Sequence, residues 1–229
     1  MTLQVVPLTG IPEVRPGDDL AALLGHAVER AGGLGDGDVV VVSQKVVSKA
    51  EGRVEQTGDH VAVILREARA VRRRRGAFVI AETEHGFVCA SAGVDRSNTP
   101  GDDWVILLPR DPDASARALR EALAARFGTA PAVIVTDSFG RAWRQGTTDV
   151  AIGVAGMSPL LDLRGEPDAR GRPLEATLIA VADELAGAAE LVMGKASGVP
   201  AALIRGYAVP PGEGSARELV MPPERDLFP

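Results

Sequence analysis

Two runs of aliphatic residues constrain the fold of this sequence most strongly, because they are apolar at consecutive positions. The first is VVVVSQKVV at 39–47, and the second is PAVIVTD at 131–137. A strand without apolar and polar alternation is typical of a sheet that is covered on both faces. Helical apolar spacing occurs at 19–32, 60–75 and 112–127. Alternating strands and helices predict an α/β or α+β fold with a mixed sheet.

The remaining segments complete this pattern. Short strands are predicted at 2–8, 76–83 and 201–209, a stiff proline-containing loop at 10–17, and a long apolar segment at 174–195. Asp18 is the predicted N-cap of the first helix. The predicted helix at 60–75 ends in four arginines, Arg72 to Arg75, where the helix dipole favours positive charge.

The chain has no internal repeat, low-complexity segment or clear linker, so residues 1–229 are predicted to form a single domain. The proline-rich segment at about 210–229 is predicted to be an extended C-terminal arm.

Composition excludes several classes of protein. The net charge of −6, from 25 basic and 31 acidic residues, argues against binding to nucleic acid or anionic membranes. Aromatic residues make up 3% of the chain, too few for a base-stacking surface. The single cysteine, Cys89, excludes a cysteine metal cluster. No signal peptide and no apolar stretch long enough for a membrane span is present, so we expect a cytoplasmic protein.

Three polar clusters follow predicted strands, where ligands usually bind in open α/β sheets. They are SQKVVSK at 43–49, HGFVCASAGVDRSN at 85–98 and TDSFGRAWRQGTTD at 136–149. In the second cluster, Asp95 and Asn98 are spaced to face one ligand, as a metal ligand with a nucleotide contact, and the alternative is that they cap a turn.

In the third cluster, Asp137 and Ser138 offer hard oxygen ligands suited to Mg²⁺ or Mn²⁺, with a helix or turn cap as the alternative. Lys45 and Lys49 are placed to meet phosphate, and the alternative is a solvated surface role. Arg141 and Arg144 offer planar donors for phosphate or carboxylate, or are surface charges.

Familiar catalytic signatures are absent. Gly194-Lys195 resembles the end of a P-loop, but Ala189 and Ala196 break the pattern. No glycine-rich dinucleotide motif opens a helix, and no nucleophile elbow is present.

Five motifs together resemble the coenzyme F420:L-glutamate ligase family in content and order, from about residue 5 to residue 208. They are GIPEVRPGDDL, DGDVVVVSQKVVSKAEGR, ETEHGFVCASAGVDRSN, VTDSFGRAWRQGTTDVAIGVAG and VADELAGAAELVMGK. The resemblance implies an unusual α+β fold in an intertwined homodimer. It also implies GTP as the nucleotide, two divalent cations (Mg²⁺ or Mn²⁺) and stimulation by K⁺.

The resemblance further implies roles for matching positions. Contacts to GTP are expected from Ile11, Pro12, Glu13, Val14, Gln44, Lys49, Asn98, Met193, Gly194 and Lys195. Asp95 and Asp137 are expected to hold one catalytic metal and Ser138 to serve a second, with Glu190 as a further metal ligand.

The implied reaction joins L-glutamate to the coenzyme precursor F420-0, and possible further glutamates, through an acyl phosphate made with GTP. Two other functions use the same residues: a metal-dependent phosphohydrolase and a non-catalytic nucleotide-binding module. In some relatives a flavin-binding reductase follows this domain; no such segment is seen here, so we expect no FMN site in this chain.

Overall fold

The computed structural model describes residues 2–227 of the chain. Its regular elements, in chain order, are β1 (Gln4–Pro7), α1 (Leu20–Arg30), β2 (Val39–Ser43), α2 (Gln44–Ala50), β3 (Val54–Gln56), α3 (His60–Glu67), β4 (Ala68–Arg75), β5 (Phe78–Thr83), β6 (Val88–Ala90), β7 (Trp104–Ile106), α4 (Pro112–Phe127), β8 (Ala132–Arg141), β9 (Arg144–Ala155), β10 (Leu161–Asp162), β11 (Leu178–Ile179), α5 (Val181–Met193) and β12 (Ala201–Arg205). Short 3₁₀ turns lie at Ser91–Gly93, Ala216–Leu219 and Pro223–Arg225.

The central sheet has five strands in the order β1, β12, β2, β8, β9. β2 and β8 are parallel, and the other neighbours in this sheet are antiparallel. The four valines Val39 to Val42 are fully buried, as an apolar run at consecutive positions predicts. The α+β class with a mixed sheet is therefore confirmed.

The register of the two parallel strands decides where the polar clusters lie. Ser43, the last residue of β2, pairs with Thr136 of β8. The segment 44–49 therefore leaves the sheet beside residues 137–138, which continue β8 beyond its pairing with β2. Both segments were singled out in the sequence, and the parallel pairing brings them together.

Helices pack against this sheet and supply most of its core. α4 packs on β8 and β9, and α5 packs against β9, β12 and β1. α4 has the bounds that the sequence predicts, since the Asp111 carboxylate accepts from the Ala114 N–H and Gly128 ends the helix in the left-handed conformation. Met193 closes α5 at the same sheet edge as the polar clusters.

Two local predictions, one of a strand end and one of a helix N-cap, were wrong. The strand predicted from the run at 39–47 is β2, which ends at Ser43 because the Ser43 hydroxyl caps α2 by accepting from the Lys45 N–H. The N-cap of α1 is Asp19, which accepts from the Ala22 N–H. Asp18 instead accepts from the Arg15 N–H and closes the preceding turn.

The predicted helix at 60–75 was also wrong in its second half. α3 ends at Glu67, and residues 68–75 form β4, which pairs with β5 in a separate sheet of three antiparallel strands, β4, β5 and β6. Gly76 makes the turn between β4 and β5 with φ at +61°. The four arginines thus lie on a strand, where Arg72 pairs with Glu82, and not at a helix C-terminus.

The polar segment at 138–149 forms the outer part of the β8–β9 hairpin. Ser138 lies opposite Asp149, and Arg141 lies opposite Arg144. No strand was predicted for these residues, because they are polar and include two glycines near the tip, Gly140 and Gly146.

The predicted C-terminal arm packs on its own chain as far as residue 220. The Ala216 N–H and the Ser215 hydroxyl both donate to Asp113 of α4, and Ala216 is fully buried. Residues 228–229 lie outside the described range. Within residues 2–227, none of the helices has the length and apolar character needed to cross a membrane.

Candidate functional site

A cleft of about 370 Å³ opens where the parallel pairing of β2 with β8 ends. Five segments line it: the loop before α1, the start of α2, the loop before β7, the root of the β8–β9 hairpin, and the end of α5 with the chain that follows. The lining includes Ile11, Pro12, Glu13, Val14, Ser43, Lys45, Lys49, Asn98, Asp137, Ser138, Asp149, Glu190, Met193, Gly194 and Lys195. Most residues predicted to bind nucleotide or metal are therefore brought together.

Every lysine of the chain lines this cleft. The sequence contains 22 arginines among its 25 basic residues, and its three lysines are Lys45, Lys49 and Lys195. Lysine presents a compact charge with rotatable donors, whereas arginine presents a wide planar fork. The cleft therefore concentrates the type of cation that meets phosphate as a point charge.

Lys49 anchors one wall of the cleft. Its side chain is 7% exposed, and its Nζ lies 2.5 Å from Glu13 Oε1. Ile11 and Val14, on the same loop as Glu13, are buried in the core, so the loop is fixed at both ends of this ion pair. The lysine is held in place as a buried cation facing the cleft, which rules out the solvated surface role.

Lys45 connects the cleft to Asp95. The Lys45 Nζ lies 2.9 Å from Asp95 Oδ2 and donates to the Ser97 hydroxyl. Burial alone would raise the pKa of Asp95, but hydrogen bonds from Lys45 and Ser97 outweigh it and hold that pKa below its ordinary value. Asp95 is therefore ionised and paired with a cation at neutral pH.

Asp137 lines the cleft together with Asp149. The pKa of Asp137 is raised to about 7, chiefly by burial and also by the carboxylates of Asp95 and Asp149, while the Ser138 N–H and Lys195 act in the opposite direction. An acid with neighbouring carboxylates and restricted solvent favours either a proton or a nearby cation.

Asp149 is a site residue that the sequence analysis missed. It is 5% exposed and accepts hydrogen bonds from the hydroxyls of Thr136 and Ser138. Its own N–H donates to Glu190 Oε2 at 3.1 Å. Because the Ser138 proton points to Asp149, the lone pairs of the Ser138 oxygen are free to face a cation. A simple hairpin centred on GRAWRQG would not have paired Ser138 with Asp149, because a register shift between Gly140 and Arg141 displaces the pairing.

The end of α5 brings the third lysine to this cluster. The Lys195 Nζ lies 3.6 Å from Asp149 Oδ1 and 3.8 Å from Glu190 Oε1. Gly194 ends the helix with φ at +60°, which turns the chain so that residues 194–200 line the cleft.

Two predicted residues do not line the cleft. Asp95 reaches it through Lys45, and Gln44 is fully buried at the first turn of α2. Gln44 Oε1 accepts from the Ser48 hydroxyl at 2.8 Å, while Gln44 Nε2 has no hydrogen-bond partner among residues 2–227. Its contact with a nucleotide stays a prediction.

Asp137, Asp149 and Glu190 are the carboxylates of the cleft that could bind a divalent cation. Within the described part of the chain, no three His, Cys, Asp or Glu side chains converge as a complete metal cage. Mg²⁺ does not need such a cage, because it keeps several waters and binds through one or two carboxylates together with substrate phosphates. Asp137 with its raised pKa, beside Asp149 and Glu190, fits that incomplete protein coordination.

Comparison with known proteins identifies the family. The sequence model of the F420-0:Gamma-glutamyl ligase family matches residues 10–206. A protein of Methanothermobacter thermautotrophicus named Coenzyme F420:L-glutamate ligase is 44% identical over 253 aligned positions, which cover 100% of this chain and 99% of the relative. Proteins of the same name from Methanopyrus kandleri and Haloarcula marismortui are 43% and 42% identical, over 99% and 98% of this chain and 98% and 95% of the relatives. The resemblance seen in the motifs is confirmed, and the chain belongs to the F420-0:gamma-glutamyl ligase family.

Proposed function

We propose that this chain is a ligase that joins L-glutamate to the coenzyme precursor F420-0 with hydrolysis of GTP. The names of its relatives support glutamate ligation onto this coenzyme. The observation that carries the rest is the cleft, in which all three lysines lie beside the acidic residues Asp137, Asp149 and Glu190. Such mixed charge suits a nucleotide triphosphate bound together with divalent cations.

The chemistry requires activation of a carboxylate. A carboxylate oxygen of F420-0 attacks the γ-phosphorus of GTP, the bond to the β-phosphate oxygen breaks, and GDP leaves. The glutamate amine then attacks the carbonyl carbon of the acyl phosphate, phosphate leaves, and the amine loses a proton as the amide forms. Both steps depend on positioning and on neutralising phosphate charge, so no nucleophile from the protein is needed.

The cationic residues of the cleft supply part of that neutralisation. Lys49, held against Glu13, is assigned to the GTP phosphates, and Lys195 at the end of α5 approaches from the opposite wall. We assign the loop Ile11–Val14, Gln44, Asn98, Met193 and Gly194 to further nucleotide contacts.

Two divalent cations, Mg²⁺ or Mn²⁺, complete the proposed site. Asp95 and Asp137 would hold one, and Ser138 and Glu190 would hold the second. Bound there, the cations supply additional positive charge to the transferring phosphoryl group. Lys45 must release Asp95 for that carboxylate to act as a ligand, since the two are now paired. K⁺ is proposed as a further activator without an assigned residue.

The test is incubation of the purified chain with F420-0, GTP, Mn²⁺ and L-glutamate, followed by mass spectrometry of the coenzyme. The expected product is F420-0 with at least one added glutamyl unit, formed only when all four components are present. Replacing GTP by ATP in a parallel reaction tests the nucleotide. Unmodified F420-0 in the complete reaction would contradict the proposal.

The same experiment separates the two rival functions. Phosphate release that does not depend on added glutamate would indicate a metal-dependent phosphohydrolase. Nucleotide binding without phosphate release or ligation would indicate a non-catalytic binding module.

A further inference from the structure

The outer end of the β8–β9 hairpin carries exposed residues to which the reaction above gives no role. We call residues 139–146 the hairpin tip. Asp137 and Phe139 lie on one face of β8, and the ladder is irregular between Gly140 and Arg141, where the turn begins. At a rise of about 3.3 Å per residue, Arg141 lies about 13 Å beyond Asp137. The hairpin tip is therefore a direct extension of the cleft wall into solvent.

Trp143 at the turn is in an unusual conformation for its type. Its side chain is 81% exposed, and its φ is +57°, in the left-handed region. That conformation is unfavourable for a residue with a side chain, and turns normally place Gly or Asn there. Backbone strain of this kind clusters at functional sites. A large aromatic side chain presented in this way points to a ligand.

Two arginines flank the tryptophan. Arg141 and Arg144 lie opposite each other across the hairpin, and both are exposed. Neither has an acidic partner within residues 2–227; Arg141 donates only to the Gln145 carbonyl oxygen at 3.2 Å. Like charges at opposed positions of a strand pair are unfavourable. Guanidinium groups beside an aromatic ring suit a flat ligand that has oxygen atoms at its edge.

Aromatic packing at the inner end of the hairpin tip fixes its direction. Phe139 packs edge-on against Phe87, with ring centroids 6.1 Å apart, and Phe87 stacks on His85. The chain has eight Phe, Trp and Tyr residues in total, and the buried Phe87 meets Phe139 where the hairpin leaves the core. Rigid aromatic contacts favour stacking with a ligand because little side-chain entropy is lost.

We propose that the hairpin tip binds the fused aromatic ring of the deazaflavin substrate, with Trp143 stacked on the ring and Arg141 and Arg144 donating to oxygens at its edge. This inference rests on the proposed function. The reacting carboxylate and the ring lie at opposite ends of F420-0. When the carboxylate lies beside Asp137, the rest of the molecule extends out of the cleft, in the direction that the hairpin follows.

Direct binding of F420-0, measured by equilibrium dialysis with its visible absorption, tests the proposal without turnover. Trp143→Ala is expected to weaken binding roughly 5- to 150-fold, the range that loss of one stacking partner gives. The KM for F420-0 should rise in parallel, with kcat and the KM for GTP unchanged. Trp143→Phe should retain most of the affinity. Arg144→Ala should weaken binding, whereas Arg75→Ala, at an exposed arginine of β4, should not.

Trp143→Gly guards against a trivial result. Glycine relieves the left-handed strain, so this variant should be at least as stable as the wild type and still bind F420-0 weakly. Unchanged affinity in Trp143→Ala would overturn the proposal. A fall in oligomer mass in the same variant would also overturn it, because the tip would then contact a second copy of the chain. Wild-type protein that binds F420-0 but does not ligate glutamate contradicts the proposed function alone.

Discussion

At the scale of single residues, the lysines of the cleft form ion pairs with carboxylates that are distant in sequence. Lys45 meets Asp95, Lys49 meets Glu13, and Lys195 meets Asp149. In each pair, a lysine that lines the cleft meets a carboxylate. A ligand that brings phosphates and cations can replace the partners in these ion pairs, with phosphates meeting the lysines and cations meeting the carboxylates.

Ionisation of Asp137 should make the metal-free protein less stable as pH rises. The unfolded pKa is near 3.8 and the folded pKa is about 7, so between these values folding takes up a proton. The stability that protonated Asp137 contributes is present below about pH 4 and is lost as pH rises to about 7, by up to about 4 kcal/mol. Asp137→Asn, which has no such charge, should lose less stability over this range.

Urea unfolding at several pH values between 4 and 8, with a chelator present, measures this difference. Added Mn²⁺ should stabilise the wild type at pH 8 more than it stabilises Asp137→Asn, because the cation replaces the proton. Parallel stability curves for the two proteins would contradict the assignment.

Lys49→Ala should weaken GTP binding more than it disturbs the fold. Loss of one charge-assisted contact costs about 1.5–3 kcal/mol, which is roughly 10- to 150-fold in affinity. Calorimetric titration with GTP and Mg²⁺ measures it, and Arg75→Ala is the control for loss of one positive charge. Wild-type affinity in a stable Lys49→Ala protein would remove this residue from the nucleotide site.

At the scale of elements, the contact between α4 and β9 holds the hairpin against the body of the protein. Gly153 of β9 lies directly under the first turn of α4, where an added Cβ would overlap the Pro112 carbonyl oxygen. Beside it, the Val154 N–H donates to Asp113 at 2.8 Å, and Asp113 also binds the C-terminal segment. The first turn of α4 thus links β9 to the C-terminal segment.

Gly153→Ala should therefore destabilise the protein by about 1–3 kcal/mol, as overpacking in a filled core does. Gly140→Ala is the matched control, because it lies on the same hairpin and its added Cβ would meet no atom within 4 Å. The midpoint of urea unfolding compares the two variants. Equal midpoints would show that α4 shifts to accommodate the methyl group.

At the scale of the whole molecule, part of the surface is apolar and exposed. Phe78 and Val88 lie on one face of the three-stranded sheet and are 56% and 53% exposed. Apolar patches of this kind commonly mark contacts between proteins. The homodimer expected from the motifs stays a prediction, and this face gives it a physical basis.

Light scattering at micromolar concentration should give a mass near twice that of the 23.8 kDa chain. An obligate interface of this type should bury well over roughly 1,200 Å² in total. Phe78→Asp should lower the mass if the sheet face forms the contact, and Phe78→Leu is the conservative control. A monomeric mass for the wild type would contradict the prediction.

The sequence by itself determined the elements whose signals are local. The run Val39–Val42 predicted a strand buried on both faces, and the helical spacing at 112–127 predicted the bounds of α4. The motifs also identified the family and most residues of the cleft. These features depend on side-chain type and near-neighbour spacing, which the chain carries in any conformation.

Only the tertiary structure decided the features that depend on pairing between distant segments. Residues 68–75 are a strand because β5 offers them hydrogen bonds, which overrides their helical spacing. Asp149 joins the site because the hairpin register places it opposite Ser138, and Asp95 joins it through a lysine that precedes it by fifty positions. Such contacts are set by how the elements pack together, so no local pattern in the sequence records them.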